Sequence, residues 1–218
     1  ELQNPGKIFV YENNLFVIFP YLLHEGKAEQ MDEDYIKINF PKGYDYLKKN
    51  ETTLRNREKG KMDIDGKWFL YNYPKNLFLS NQEKLVSPDI TFPMNITKDN
   101  GSFCVKNGAY GITIKSKFQK YESEIIAILN SKLLWYYLQN TGSVLRGGYF
   151  RFNKKYILPF PIPCFTKVTD NKLSTLVQSV ILQKEQEKDT SSLESQIDQL
   201  VYELYGLTEE EIEIVENA

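Results

Sequence analysis

The spacing of apolar residues along the chain predicts a mixture of strands and helices. Alternating apolar residues at positions 7–23 predict two short strands around a turn at residues 12–14. Residues 37–40 predict a further short strand, which Pro41 ends, and residues 42–59 predict a polar helix with a thin apolar face. The basic residues of this helix are interpreted as a solvated face rather than a binding stripe: Lys48, Lys49, Arg55 and Arg57.

A second group of predicted strands lies near the middle of the chain. Residues 84–90 predict a strand, and several aromatic residues at positions 66–79 are assigned to the core. Residues 103–105 and 110–114 predict a hairpin, because the Asn-Gly pair between them is a strong hairpin-turn signal.

Residues 120–140 predict the clearest helix of the chain. Apolar residues occupy more than one face of this segment, so we expect the helix to be buried. Asn140 and Gly142 mark its end. The helix therefore leads directly into residues 141–163, which combine basic and aromatic residues and close on the proline-rich run, residues 158–163.

The C-terminal part of the chain predicts a helical hairpin. Apolar residues recur at helical spacing over 173–181, and a second amphipathic helix begins with a capping box at 191–194 and ends at Gly206. A further capping box at 208–211 begins a short last helix. The apolar stripe of the hairpin must be buried against the rest of the chain, a missing domain or another copy. It includes Leu176, Ile197 and Leu204.

These elements predict an α+β fold with two parts: a mixed strand-and-helix domain at residues 1–168 and a C-terminal α-helical hairpin at residues 169–218. Charge divides the chain in nearly the same place. Residues 171–218 carry three Lys against eleven Asp or Glu, a net charge of −8, whereas residues 1–170 carry 24 basic against 18 acidic residues, a net charge of +6. The overall net charge of −2 therefore hides a basic body with an acidic tail.

Composition places limits on the class of protein. Two cysteines, Cys104 and Cys164, give no disulfide framework, so we expect a reducing compartment. The N-terminus shows no signal-peptide pattern, and no apolar run approaches the length of a membrane span. Glu1 stands where an initiator Met is expected, which favours a fragment of a longer protein.

Few residues suit catalysis. His24, the one histidine, has no partner nearby in the sequence, and two Cys with one His cannot form a standard structural zinc site. The chain has no P-loop and no dinucleotide-binding glycine motif. Residues 88–89, Pro-Asp, are not followed by the Glu-x-Lys or Asp-x-Lys of nucleases, and the Asn-Pro-Pro-Tyr type motif of amino-methyltransferases is absent. We therefore predict no catalytic and no metal-binding residues in this chain.

Several segments resemble a known family. Residues 128–137, 142–152 and 158–163 are similar to the TaqI-like C-terminal specificity domain, and residues 84–115 and 197–208 also match the style of that family. That domain lies C-terminal to the catalytic domain in adenine-N6 DNA methyltransferases and single-chain restriction-modification enzymes, and it is related to the target recognition domains of type I specificity subunits. The resemblance covers roughly residues 66–218, whereas the first 65 residues carry little of the signature.

The resemblance implies a sequence-specific double-stranded DNA recognition domain of a restriction-modification enzyme, without catalytic activity of its own. A separate methyltransferase domain of the same polypeptide would flip and methylate an adenine, and S-adenosylmethionine would bind there. No cofactor is expected in this chain, and the prokaryotic cytoplasm is the predicted location. Whether the parent protein also cleaves DNA, and whether the C-terminal helices pack within the chain or between copies, stays open.

The predicted DNA-binding residues cluster between the buried helix and the proline-rich run. No Asp or Glu occurs between residues 125 and 169, where six basic residues are interleaved with aromatics, a pattern that suits phosphates and stacked bases. Gly147 and Gly148 favour a tight turn with positive φ that presents two arginines on one side. The predicted residues here are Ser143, Arg146, Tyr149, Arg151, Asn153, Lys154 and Lys155. A second reading loop and a weaker third are predicted at Lys106 and Asn107, and at Lys75 and Asn76.

Two other functions stay open at this point. One is a protein-interaction or assembly module that works through its helical hairpin without direct DNA readout, and the other is a nuclease with an unusual site. Arg146 or Arg151 has the alternative role of bracing the proline-rich run through backbone carbonyls. We also expect the acidic hairpin to face away from DNA, because its negative charge repels phosphate.

Overall fold

The computed structural model describes residues 17–24, 26–101, 108–163 and 167–218. These residues form two compact units. The smaller unit contains residues 17–82 and Gly101, and the larger unit contains the rest. Within the described ranges, no helix combines the length and the apolar character that crossing a membrane requires. The predicted turn at residues 12–14 and the predicted loop at Lys106 and Asn107 lie outside the described residues.

The smaller unit packs one strand pair and four short helices around an aromatic core. Its elements are β1 (Tyr21–His24), β2 (Lys27–Gln30), α1 (Glu33–Asn39), α2 (Pro41–Lys49), α3 (Glu51–Arg55), α4 (Arg57–Gly60) and a 3-10 turn at Leu77–Leu79. Strands β1 and β2 pair antiparallel, with Tyr21 opposite Gln30. The core consists of Tyr21, Ile36, Leu47, Met62, Trp68, Phe69 and Leu70. Trp68 and Phe69 confirm the assignment of aromatics near residue 70 to the core.

The predicted strand at residues 37–40 is wrong, because most of this segment belongs to α1. Asp32 caps the helix by accepting a hydrogen bond from the Tyr35 backbone N–H at 2.6 Å, and two acidic residues follow in the first turn. The alternation that predicted a strand is not buried: Ile38 is 77% exposed.

The predicted helix at residues 42–59 is broken into short segments, interrupted at Asn50 and Asn56. Its last two residues, Glu58 and Lys59, have left-handed backbone angles, so the helix prediction is wrong there. Its basic residues are only partly a solvated face. Arg55 pairs with Glu51 at 2.8 Å, and Arg57 donates hydrogen bonds to the backbone carbonyls of Trp68 and Leu70 at 2.8 and 2.9 Å. The half-buried arginines therefore hold the loop that carries the aromatic core.

The larger unit combines two small antiparallel sheets with the long helices. Its strands are β3 (Lys84–Pro88), β4 (Ile90–Thr91), β5 (Thr97–Asp99), β6 (Ala109–Ile112) and β7 (Phe150–Arg151). Its helices are α5 (Glu122–Asn130), α6 (Lys132–Thr141), α7 (Lys154–Ile157), α8 (Lys167–Glu185), α9 (Ser191–Tyr205) and α10 (Glu209–Glu216), with a 3-10 turn at Ser116–Tyr121. One sheet has the order β5-β3-β6, and the other pairs β4 with β7. The structure thus confirms the α+β fold. The strand predicted at residues 84–90 is present over Lys84–Pro88, whereas Ile90 begins β4 in the other sheet.

The helix predicted at residues 120–140 is two helices, because Ser131 interrupts it with an extended backbone. The Ser131 hydroxyl donates to the Ile128 carbonyl at 2.8 Å and accepts from the Leu134 N–H at 3.2 Å, so it both closes α5 and caps α6. Asn130, beside it, bonds to both backbone groups of Ile96, at 2.8 and 3.0 Å. Asn130 and Ser131 therefore lie at the break, where Asn130 holds the loop between β4 and β5.

The C-terminal helices pack on the rest of the larger unit. Helix α8 contacts α5 and α9, and α9 contacts both α5 and α6. Leu173, Val177, Ile197, Leu200 and Val201 are buried in one core with residues of α5, α6 and β3, and Leu176 and Leu204 pack against it. The predicted apolar stripe is therefore buried against the body of the chain. The functional division of the chain at residue 168 stays a prediction.

The caps of the last two helices follow the sequence with one correction. The capping box predicted at Ser191 is wrong: the N-cap is Thr190, whose hydroxyl makes no cap to the backbone and donates to the Glu194 carboxylate at 2.9 Å. The reason is that the Thr190 carbonyl already accepts the first hydrogen bonds of the helix. Gly206 ends α9 with φ +68°, and the box at Thr208 and Glu211 is present, as predicted.

A buried carboxylate joins α9 to the start of α6. Asp198 is 6% exposed, and its Oδ1 accepts a hydrogen bond from the Lys132 backbone N–H at 2.9 Å. The Lys132 ammonium pairs in turn with Glu216 of α10, which also accepts a hydrogen bond from the Tyr202 hydroxyl at 2.9 Å. Burial raises the pKa of Asp198 to about 6, although the Lys132 N–H and charge act in the opposite direction.

The raised pKa predicts how stability changes with pH. Because folding favours the protonated form of Asp198, its contribution to stability is fully present below the unfolded pKa and is lost as pH rises through about 6. Asp198→Asn does not titrate but keeps an oxygen that accepts from Lys132. The unfolding free energy of the parent, minus that of Asp198→Asn, should therefore fall by roughly 2–3 kcal/mol between pH 4 and pH 7.

Urea unfolding of both proteins at several pH values measures this difference, in which the contributions of Lys132, Glu194 and Glu216 largely cancel. Asp189→Asn is the control, because hydrogen bonds from the Ser191 side chain and backbone lower the pKa of Asp189. Its difference curve should slope the other way. Parallel stability curves for the parent and Asp198→Asn would contradict the assignment.

Candidate nucleic-acid interface

The end of α6 delivers the chain into the predicted DNA-binding segment. The Gly142 N–H donates to the Leu138 carbonyl at 2.7 Å and closes the helix. A Cβ atom at residue 142 would lie 2.5 Å from that carbonyl oxygen, so this close turn requires glycine.

Residues 143–151 form a short hairpin, which we call the Gly-Gly hairpin. Val144 bridges Phe150 in antiparallel fashion, and the Leu145 N–H donates to the Tyr149 carbonyl at 2.7 Å. The three residues left in the turn are Arg146, Gly147 and Gly148. Both glycines have positive φ, +87° and +78°, which confirms the predicted tight turn. Arg146, at the tip of the hairpin, is exposed.

Strand β4 extends the Gly-Gly hairpin into a three-segment sheet. Thr91 lies opposite Phe150, and Ile90 lies opposite Arg151, whose N–H reaches the Ser143 carbonyl at 3.4 Å. Residues opposite one another in a sheet share a face. Thr91 and Phe150 are buried, so the row of Ile90, Arg151 and Ser143 belongs to the outer face.

Aromatic side chains from α6 and from the loop after β4 pack against the hairpin. The Phe92 ring lies 5.7 Å from the rings of both Tyr149 and Trp135, and Trp135 lies edge-on to Phe150 at 5.2 Å. Phe92 is nevertheless 48% exposed. The hairpin therefore rests on α6 through a connected set of rings, and one of them reaches solvent.

Arg151 is held by a carboxylate. Its Nη1 lies 3.1 Å from Asp89 Oδ2. The alternative role foreseen for this arginine was a brace on backbone carbonyls, and the partner here is a side chain from the turn between β3 and β4. The common orientation of the Arg146 and Arg151 guanidinium groups stays a prediction.

The basic residues after the hairpin lie on the short helix α7. The Asn153 side chain caps this helix, since its Oδ1 accepts a hydrogen bond from the Lys155 backbone N–H at 2.9 Å. The side-chain amide also carries two N–H donors. Lys154 and Lys155 are exposed, and the Lys155 ammonium lies 5.5 Å from the centre of the Tyr156 ring.

The proline-rich run after α7 is held by aromatic contacts to α6 and α9. Phe160 lies between Tyr137 at 5.0 Å and Tyr205 at 5.6 Å, and the Tyr205 hydroxyl donates to the Pro161 carbonyl at 2.7 Å. Residues of α6 and α9 therefore fix the run, and two of its apolar side chains, Leu158 and Ile162, are exposed.

The remaining predicted residues of the described part of the chain lie in the smaller unit. Lys75 and Asn76 belong to the smaller unit, where Asn76 has φ +50° and precedes the 3-10 turn. His24 ends β1 opposite Lys27. No group of three or more His, Cys, Asp or Glu suited to a metal ion occurs among the described residues.

Three residues of this surface were not among the predicted site residues: Asp89, Ile90 and Phe92. Asp89 lies 62 positions before its partner Arg151, so no local pattern links the two. The exposure of Ile90 departs from the usual burial of a strand isoleucine, but it is visible only in the structure, so the sequence offered no signal for these residues.

Comparison with known proteins gives consistent relatives. Residues 34–162 match the model of the TaqI-like C-terminal specificity domain. The chain is 25% identical over 184 residues to the type II methyltransferase M.BstVI of Geobacillus stearothermophilus, covering 83% of this chain and 30% of that protein. It is 26% identical over 160 residues to the type II restriction enzyme and methyltransferase RM.Eco57I of Escherichia coli, covering 70% of this chain and 16% of that protein. The chain thus spans less than a third of the length of either relative.

The family match confirms the resemblance and changes its limits. It begins at residue 34, so part of the segment that carried little signature lies inside it, and it ends before α8. The matched domain is a specificity domain and not a catalytic one. Because the match includes more than half of the 218 residues, the chain belongs to the family of TaqI-like C-terminal specificity domains.

Proposed function

We propose that this chain is the part of a restriction-modification enzyme that recognises a specific sequence of double-stranded DNA. The observation that carries the proposal is the Gly-Gly hairpin, which places Ser143 and Arg151 in one row of an outer sheet face and Arg146 at an exposed turn. Family membership supports the same function. A narrow β-hairpin with basic side chains has the dimensions to enter a major groove.

The charge around the hairpin favours DNA. The acid-free segment supplies exposed Lys154 and Lys155 directly after the hairpin, where a phosphate backbone would lie if the turn enters the groove. Tyr149 and the half-exposed ring of Phe92 provide apolar surface for sugars and thymine methyl groups. In this arrangement the lysines position the duplex and the hairpin reads bases.

The chemistry of the parent enzyme is assigned to another part of the polypeptide. The two relatives are named for methyltransferase activity, and one also for restriction. We infer an adenine-N6 methyltransferase domain that binds S-adenosylmethionine and acts on an adenine flipped from the DNA held by this chain. Cytoplasmic location in a prokaryote accompanies this proposal.

The C-terminal helices serve as support and not as the DNA surface in this proposal. Their apolar stripe, which suggested an assembly surface, packs against other helices of the same chain. Exposed acids on α10 include Glu209, Glu210, Glu211 and Glu213. They would repel phosphate, and the helices therefore face away from the duplex.

The first test separates phosphate contacts from the rest of the surface. Lys154→Ala should weaken binding to target and scrambled duplexes alike and lower the slope of log K against log salt by about one unit. Fluorescence anisotropy over a salt series measures both quantities. Lys188→Ala, which removes an exposed lysine between α8 and α9, is the matched control and should bind like the parent.

The second test concerns the tip of the hairpin. Arg146→Ala should weaken binding to the target by about 1–3 kcal/mol and change binding to the scrambled duplex little, because a base contact is lost. Arg146→Lys keeps the charge but loses paired hydrogen bonds, so it should share most of this loss. If Arg146→Ala and Lys154→Ala both bind both duplexes like the parent, the Gly-Gly hairpin and α7 are not the DNA-binding surface.

The third test concerns the shape of the turn. Gly147→Ala places a side chain at φ +87°, which costs roughly 1–2 kcal/mol or forces the loop into another shape. Target affinity should fall while α7 continues to bind scrambled DNA. Gly43→Ala is the control, because residue 43 lies in α2 and an added Cβ meets only Phe40 at 3.7 Å. It should match or exceed the parent in stability, and unchanged target affinity of Gly147→Ala would contradict the role of the turn.

A further inference from the structure

Asp89 and Arg151 form an ion pair at the edge of the proposed DNA surface. The distance from Arg151 Nη1 to Asp89 Oδ2 is 3.1 Å, and the Arg151 side chain is 43% exposed against 21% for Asp89. The guanidinium therefore has one N–H on a shielded carboxylate and other N–H groups directed to a solvent-accessible side. Such a pair holds an arginine in one orientation without burying it.

Asp89 itself is fixed by the backbone around it. Its N–H donates to the Gly108 carbonyl at 2.8 Å, and its carbonyl accepts from the Phe152 N–H at 2.7 Å. Its second carboxylate oxygen, Oδ1, is buried. Burial raises the pKa of the neighbouring Tyr110 hydroxyl, and the charge of Asp89 and a hydrogen bond to it add to this shift.

We propose that Asp89 is a positioning residue that orients Arg151 to read one guanine of the target in the major groove. This inference rests on the proposed function and deepens it, because it states that the recognised sequence contains a guanine opposite the β4–β7 row. A guanine presents two acceptors, O6 and N7, which match paired donors of one guanidinium.

Electrostatics favours a base over a phosphate at this position. The Asp89 carboxylate offsets much of the charge of Arg151 and repels a phosphate that approaches it. A neutral base edge meets no such repulsion and gains from donors that are already oriented, since less side-chain entropy is lost on binding. The exposed lysines of α7 have the opposite character and suit the backbone.

The neighbours of Arg151 suit contact with base edges in the major groove. Ser143 and Ile90 flank it across the sheet, and Ile90 is 46% exposed. A hydroxyl next to the arginine can donate or accept, and an exposed aliphatic side chain suits a thymine methyl group. In this row Arg151 would make the specific base contact, and Ser143 and Ile90 would make less specific contacts beside it.

The experiment first obtains the target by selection of bound duplexes from a randomised pool with the parent protein. The same selection with Arg151→Ala should lose a guanine preference at one position and keep the others. Asp89→Ala should lose the preference at that same position, and Asp89→Asn, which keeps the shape and an acceptor oxygen, should weaken it less. The expected loss of discrimination is roughly 5- to 150-fold.

A chemical substitution in the DNA then identifies the contact. Replacing that guanine by 7-deazaguanine, which lacks N7, should weaken binding of the parent but not weaken Arg151→Ala further, so the two changes are coupled. Replacing it by hypoxanthine, which lacks only the minor-groove amine, should have little effect. Glu122→Ala is the matched protein control, because Glu122 pairs with Lys98 at 2.6 Å and its side chain is 23% exposed. It should leave the selected sequence unchanged.

The outcomes separate this inference from the function on which it rests. If the parent selects a sequence but Arg151→Ala lowers affinity for all duplexes equally, Arg151 contacts phosphate or only braces the sheet, and the inference is wrong while the function stands. Loss of preference in Arg151→Ala with none in Asp89→Ala would remove the positioning role of Asp89. If the parent selects no sequence at all, the proposed function itself fails.

Discussion

The hydrogen bond from the Lys132 N–H to the buried Asp198 carboxylate is the contact on which the larger unit depends. It fixes the first residue of α6 against α9, directly after the break at Ser131. Helix α6 then carries Trp135 and Tyr137 to the rings of the hairpin and of the proline-rich run. The hydrogen bond between α9 and the start of α6 therefore helps to position the helix that packs against the candidate DNA surface.

This dependence changes the meaning of the charge asymmetry in the sequence. The acidic C-terminal segment looked like a tail, yet several of its acids are paired inside the unit: Glu194 with Lys184 at 2.6 Å and Glu216 with Lys132. Asp198 lies in the core and is close to neutral at mildly acidic pH because burial raises its pKa. Part of the negative charge is thus structural, and only the exposed acids act on a distant polyanion.

Local features of the fold were readable from the sequence, and long-range ones were not. Glycine at residues 147–148 requires no partner to indicate a turn, and the capping box at Thr208 is complete within four residues. Ser131 was also readable, since serine is a good N-cap, but the apolar run around it concealed the break. Ile38 misled because alternation indicates a strand only where one face is buried, and this residue is exposed.

The candidate site shows the same limit. The basic and aromatic residues of the hairpin are contiguous, so composition alone marked the segment. The pairing of Arg151 with Asp89 depends on β4 lying beside β7, which the strand pattern does not specify. The sequence predicted the Asn153 side chain as a donor to DNA and did not show that its oxygen caps α7. The reason is that helix caps use the same polar residue types that bind ligands.

The turn of the Gly-Gly hairpin has a consequence for how such a protein changes over evolutionary time. Backbone hydrogen bonds and the buried ring of Phe150 hold the two strands of the hairpin together. Residue 146 lies in the turn between the strands and belongs neither to the paired residues nor to the buried core. Substitution at this position changes the side chain that the turn presents to solvent. Under the proposed function, position 146 could therefore change alone, whereas a change at residue 89 or 151 would also break an ion pair.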